Sequence, residues 1–235
     1  MTLADPIRRR RLHELLAERL LARIAEGDPA PGEVLPSEAE LAARHNVGRP
    51  TVREALQKLE SMGVIAISHG ERARVVEPSA SRVLEGVSAS FVHFLTAAPE
   101  NIAHLQEVRL LTEEAMVRRS IQRGASLTAL EEALVQQERA VRTGKGFFGA
   151  DMEFHVAIAD GAGNPLFPIF LRAMLDWLSA FRTSTVRLSG FEELALEEHR
   201  AIFAAMQACD AEGAARAMRA HLLRSSKLYG VHQRT

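Results

Sequence analysis

Four side chains in the second half of the chain have the types and spacing of a metal-binding site. Asp151 and His155 are four residues apart, so they share one face of a helix. His199 and His221 are each flanked by apolar residues at helical spacing, which places them on the inward faces of two further helices. Burying these polar groups unpaired would cost about 1–3 kcal/mol each, and one divalent cation would satisfy all four.

Three imidazoles and one carboxylate form a donor set that favours zinc or nickel, with manganese or iron as alternatives, over calcium or magnesium. For any single histidine, an ordinary hydrogen-bonded place in the core is the competing interpretation. The case for a metal depends on the four groups acting together.

A second group of residues could contact nucleic acid. Arg49, Thr51 and Arg53 lie in the first turns of a short predicted helix, and His69 and Gly70 lie in a turn between two β-prone runs. A guanidinium group can bind a guanine edge through two hydrogen bonds, or it can bind a phosphate. The alternative is that the arginines only solvate an exposed helix face.

The elements around these residues predict a winged helix-turn-helix over residues 1–76. A first helix is expected over residues 7–26, and a capping box formed by Ser37 and Glu40 opens a second one. The third helix starts at Arg49 or Pro50, and residues 64–76 form a β-hairpin. The expected inward stripe of the first helix consists of Leu12, Leu15, Leu16, Leu20 and Ile24.

The rest of the chain is predicted to be a helical bundle, so the fold class is mainly α with a small β-hairpin wing. Residues 77–81 form the predicted linker, and residues 82–235 form an all-helical domain with six or seven helices. The expected helices span about 82–97, 101–123, 127–142, 147–160, 165–187, 191–208 and 211–228.

The composition is that of an ordinary globular protein with no global basic field. Hydrophobic residues make up 47% of the 235 residues, charged residues 25%, and the formal net charge is −1. A single cysteine, Cys209, rules out an internal disulfide and fits a reducing cytoplasm. No apolar run approaches the roughly 18 residues of a membrane span, so a cytoplasmic protein without a membrane partner is expected.

The N-terminal run resembles the GntR family of bacterial transcription regulators. The resemblance rests on Leu35-Pro36-Ser37-Glu38, Leu41-Ala42, Val47 through Leu56, and Leu59 through Gly63. It implies that Arg49, Thr51, Arg53, His69 and Gly70 contact operator DNA. The chain departs from the family pattern at Ala39, Gly48 and Pro50, which bears on the operator sequence and the affinity.

The helical part resembles the C-terminal effector domain (FCD domain) of the FadR-type branch of this family. The matching segments are Glu107-Val108-Arg109 with Glu113, Asp151 through His155, Gly163-Asn164-Pro165, Glu198-His199 and Ala220-His221-Leu222. The resemblance implies that Asp151, His155, His199 and His221 bind the metal. It also favours Arg109 as the anchor of an effector carboxylate, although an intrahelical pair with Glu113 is the alternative.

Together these patterns predict a ligand-responsive transcription regulator and not an enzyme, with a repressor as the first interpretation and an activator as its alternative. It would bind double-stranded operator DNA as a homodimer and hold a small carboxylate metabolite at a metal centre. Two alternatives remain: a metal-dependent, hydrolase-like helical enzyme, or a metal with a purely structural role.

Overall fold

The computed structural model describes residues 11–68, 71–181 and 190–226, and the chain divides into two compact units. The first unit is Met1–Gly86 and the second is Val87–Thr235, so their boundary falls within a helix. The division into domains at residues 1–76, 77–81 and 82–235 stays a prediction.

The first unit contains the predicted helix-turn-helix and hairpin. Its elements are α1 (Leu12–Ala25), α2 (Glu38–His45), α3 (Arg49–Ser61), β1 (Ile65–Ala66) and β2 (Arg74–Val75). The two strands pair antiparallel, with Ile65 opposite Val75. Ser37 accepts a hydrogen bond from the backbone of Glu40, and the Glu40 carboxylate accepts one from Ser37 N. The predicted capping box therefore starts α2.

The buried face of α1 differs from the predicted stripe. Leu16, Ala17 and Leu20 are buried, whereas Leu12 and Leu15 are 62% and 38% exposed. Adjacent helical residues are about 100° apart, so a face centred on Ala17 and Leu20 turns Leu15 away from the core. The predicted start of this helix at Ile7 lies outside the described residues.

The described part of the second unit is a bundle of long helices, which confirms the predicted class. Together with α4, which spans the boundary, it has seven helices: α4 (Ala80–Ala97), α5 (Pro99–Gln122), α6 (Thr128–Thr143), α7 (Phe147–Gly161), α8 (Leu166–Ser179), α9 (Phe191–Gln207) and α10 (Ala211–Ser225). Helix α8 ends before the predicted residue 187, and residues 182–189 and 227–235 lie outside the description.

Five of these helices surround one interior region. Helix α10 packs on α9 and α5, helix α7 packs on α6 and α5, and α6 also packs on α9. Apolar side chains such as Phe154, Leu130 and Ile202 fill most of the interior. The polar side chains buried there are exceptions that need partners, and they define the candidate site.

Candidate functional site

The structure brings the four predicted metal ligands together. Asp151 and His155 come from α7, His199 from α9 and His221 from α10, and each offers a donor atom that lies within 4.8 Å of the others. The three histidines are 0–2% exposed, and Asp151 has 19% of its side chain exposed. His199 and His221 are far in sequence from the pair on α7, so the packing of α7, α9 and α10 within the bundle completes this cluster.

Each imidazole has its Nδ1 atom close to a side-chain oxygen. The three pairs are His155 with Glu113 at 2.5 Å, His199 with Gln137 at 2.7 Å and His221 with Glu198 at 2.7 Å. Gln137 donates from its nitrogen to the carbonyl of Ala150, so its oxygen is the acceptor. Carboxylate and carbonyl oxygens only accept hydrogen bonds, so each Nδ1 carries a proton and donates it.

With its proton on Nδ1, an imidazole in the neutral, metal-binding form presents an Nε2 lone pair to the cluster. The Nε2 atoms of His199 and His221 lie 3.2 Å apart, so two acceptors face each other. The Nε2 atom of His155 is buried without a hydrogen-bond partner among the described residues. An Asp151 oxygen lies 3.7 Å from the Nε2 atom of His199. A cation would satisfy all of these electron pairs.

The spacing fits a transition-metal ion. Two nitrogens that are each about 2.1 Å from one ion lie about 3.0 Å apart at a right angle and about 3.4 Å apart at a tetrahedral angle. The observed 3.2 Å between His199 and His221 falls between these values. The set of three nitrogens and one oxygen matches ions that accept imidazole.

Electrostatics keep two of the histidines in the form that can bind a metal. Burial lowers the pKa of His199 well below its usual value, and any proton on the neighbouring His221 or His155, like the charges of Arg109 and Arg224, lowers it further. Burial also lowers the pKa of His221, although its hydrogen bond with Glu198 partly opposes this effect. A histidine must be neutral to coordinate a cation.

Two glutamates behind the histidines are held by arginines. Burial by itself raises the pKa of Glu113, but the charge of Arg109 and the hydrogen bonds from His155 and Arg109 outweigh it and bring the pKa to about 2. The pKa of Glu198 is likewise about 2, because hydrogen bonds with His221 and Arg224 outweigh the effect of burial. Both carboxylates are therefore charged acceptors at neutral pH.

The sequence analysis did not assign these supporting roles. In the sequence, Glu113 stands out only as a possible partner for Arg109 and as part of a resembling segment, Glu198 only as part of such a segment, and Gln137 not at all. Glu113 and His155 are 42 positions apart, and His199 and Gln137 are 62 apart. No periodicity within a single helix reveals such contacts.

Arg109 lies on the buried face of α5, as predicted, and is 5% exposed. Its Nε atom lies 2.5 Å from an oxygen of Glu113, one turn further along the helix. The intrahelical pair that was the alternative interpretation is thus present. A role for Arg109 toward an effector stays a prediction.

The candidate DNA-contacting residues occupy the first turns of α3. Gly48 is the N-cap, and Arg49 and Arg53 are exposed. Thr51 is partly buried. The Nε atom of Arg53 lies 2.8 Å from an oxygen of Glu38 on α2, a partner that the sequence analysis missed. His69 and Gly70 lie outside the described residues.

Comparison with known proteins identifies the family. Residues 12–75 match "Bacterial regulatory proteins, gntR family", and residues 104–224 match the FCD domain. The chain belongs to the GntR family. Both predicted resemblances are confirmed, and the protein is a DNA-binding, ligand-responsive transcription regulator. Neither family match supports the alternative of a helical metalloenzyme.

Two curated relatives are named transcriptional repressors. The HTH-type transcriptional repressors NanR of Klebsiella aerogenes and Cronobacter sakazakii are each 38% identical over 221 residues, covering 92% of this chain and 85% of theirs. A solved structure, Streptococcus agalactiae GntR, aligns with a TM-score of 0.59 at 25% identity, covering 92% of this chain and 99% of that one. No helix among the described residues is long and apolar enough to cross a bilayer.

Proposed function

We propose that this GntR-family regulator is a repressor whose helical unit binds one divalent cation and a small carboxylate effector. The observation that carries the proposal is the convergence of three Nε2 lone pairs and the Asp151 carboxylate on one buried point. The naming of its relatives as repressors supports the direction of regulation.

Zinc or nickel suits the proposed site best, with manganese or iron as alternatives. Asp151, His155, His199 and His221 would hold the ion. A bound cation would accept the lone pairs of these donors and would offer a positive centre to a carboxylate oxygen. Because the ligands come from three helices, the bound ion would also fix how α7, α9 and α10 pack.

Arg109 is proposed as the residue that holds the effector carboxylate. Its guanidinium is buried and is separated from the ligand His155 by a single carboxylate, that of Glu113. A guanidinium fork is suited to a carboxylate. In the DNA-binding unit, Arg49, Thr51 and Arg53, together with His69 and Gly70, are the proposed operator contacts.

Metal analysis of purified full-length protein tests the proposal first. We expect about one equivalent of divalent metal per chain, either as purified or after incubation with Zn²⁺ and gel filtration. A panel of small carboxylic acids is then tested for release of the protein from an operator selected from a random duplex pool. A protein that takes up no Zn²⁺, Ni²⁺, Mn²⁺ or Fe²⁺ would show that the cluster is only a polar core.

We predict that the protein is a homodimer. One helix-turn-helix contacts one half-site, and two-fold symmetric proteins match palindromic operators. Light scattering at micromolar concentration should give twice the mass of one chain. A mass of one chain, both alone and with operator DNA, would contradict the prediction.

The effector and the operator should affect each other's binding equally. We expect a coupling of about 1–3 kcal/mol, or roughly 5- to 150-fold in affinity. Anisotropy titrations of operator with and without effector, and calorimetric titrations of effector with and without operator, measure the two sides. If the metal bound but no carboxylate in the panel shifted operator affinity, the metal would have only a structural role.

A further inference from the structure

Glu113 is shared between a metal ligand and the proposed effector anchor. One of its carboxylate oxygens lies 2.5 Å from Nε of Arg109, and the other lies 2.5 Å from Nδ1 of His155. Glu113 is 1% exposed, so no solvent replaces either contact. Both oxygens are committed, which makes the carboxylate a rigid link between α5 and α7.

The other two supporting acceptors differ from this one. His199 is held by the neutral amide of Gln137. His221 is held by Glu198, whose arginine partner is Arg224, but these two side chains are 22% and 20% exposed. Of the three sets of contacts behind the histidines, the set that runs from Arg109 through Glu113 to His155 is the one that is both ionic and fully buried. A charge interaction is screened least in such a place, so a change at one end acts on the other.

We propose that Glu113 is a positioning residue for His155 and that Arg109 acts on the metal centre through Glu113. This inference rests on the proposed function. The carboxylate accepts the Nδ1 proton, fixes that tautomer and turns the Nε2 lone pair toward the cluster. Arg109 in turn holds the carboxylate in the orientation that does this.

This link would couple effector binding at Arg109 to the metal affinity of the cluster. An effector carboxylate that binds Arg109 competes with Glu113 for the same guanidinium. The Glu113 carboxylate then holds His155 differently, and the affinity for the cation changes. By reciprocity, the bound cation changes the affinity of the effector.

The first test compares Zn²⁺ affinity in full-length variants by competition with a chromophoric chelator. Glu113→Gln keeps the side-chain shape and removes the charge, and we expect it to weaken Zn²⁺ binding about 10- to 100-fold. Glu153→Gln is the matched control. Glu153 lies on α7 near the ligands but pairs with Arg172 at the surface, so its replacement should leave the affinity unchanged.

A double-mutant cycle then tests whether Arg109 acts through Glu113. Arg109→Gln should weaken Zn²⁺ binding in the otherwise unchanged chain and should cause little further loss in the E113Q background. If the double variant lost Zn²⁺ affinity by the product of the two single-variant factors, Arg109 would act on the metal independently of Glu113, and the proposed link would be wrong.

The tautomer of His155 gives a measurement that does not depend on a variant folding. In metal-free wild-type protein, ¹⁵N imidazole shifts should show His155 protonated at Nδ1. Protonation at Nε2, or unchanged Zn²⁺ affinity in folded E113Q protein, would overturn this inference while leaving the proposed function intact. Wild-type protein that binds none of Zn²⁺, Ni²⁺, Mn²⁺ and Fe²⁺ would instead defeat the proposed function itself.

Discussion

Replacing His199 or His221 by alanine should lower the affinity for Zn²⁺ by on the order of 100-fold or more. Zinc bound by four protein ligands has an apparent binding free energy of about 10–16 kcal/mol. One ligand in four accounts for about 3 kcal/mol of this, which corresponds to about 100-fold in affinity. Both imidazoles are almost fully buried, and the methyl group of alanine offers no lone pair in their place.

The measurement is a Zn²⁺ competition titration on full-length protein, followed by the effector response on operator DNA. His104→Ala is the matched control, because His104 is an exposed histidine on α5 outside the cluster. We expect the ligand variants to lose both metal and effector response, and the control to keep both. Wild-type Zn²⁺ affinity in the H199A/H221A double variant would show that the cluster does not bind the metal.

Thermal unfolding with and without Zn²⁺ separates loss of metal from loss of fold. A ligand that binds only the folded state raises the melting temperature. Zn²⁺ should therefore stabilise the wild-type chain strongly and the H199A and H221A variants much less. The first unit has its own core around Leu41, Val52 and Leu59. Its thermal unfolding transition should therefore be the same in the wild-type chain and in both variants.

Helical periodicity was enough to predict most of the fold. Apolar spacing and breaks at glycine and proline place the helices of the second unit within a few residues of their observed bounds, except that α8 ends at Ser179 and not near residue 187. The capping box at Ser37 marks the start of α2 because its two hydrogen bonds are local in sequence. Such features depend on residues at most four positions apart, which a sequence displays directly.

The environment of the candidate metal site could be predicted only in part. Asp151 and His155 share a helix, so their spacing signals a common face. The acceptors behind the histidines, such as Gln137, come from other helices, and only the packing of α6 against α7 and α9 brings this residue to His199. Leu15 shows the same limit, because the partner helix decides which part of an apolar face is covered.

Replacing Arg49 and Arg53 together by alanine should weaken operator binding by about 2–6 kcal/mol, from about 1–3 kcal/mol for each arginine that contacts a base. Both residues lie in the first turns of α3 and are exposed. Anisotropy titrations with operator and with random duplex DNA, at several salt concentrations, measure the loss. Replacing Arg139 and Arg142 together by alanine removes the same two charges from an exposed face of α6 in the helical unit and serves as the matched control.

The pair between Arg53 and Glu38 sharpens this prediction. To reach DNA, Arg53 must leave a carboxylate 2.8 Å from its Nε atom. Such an exposed ion pair contributes only about 0–1 kcal/mol, which is less than a two-bond contact with guanine contributes. Arg53 should therefore leave Glu38 and bind the base when operator DNA is present. If Arg53 contacts a base, R53A should weaken operator binding more than random-duplex binding. An equal loss on both, with a reduced salt slope, would assign it to phosphate, and unchanged binding in the double variant would refute the docking of α3 in the major groove.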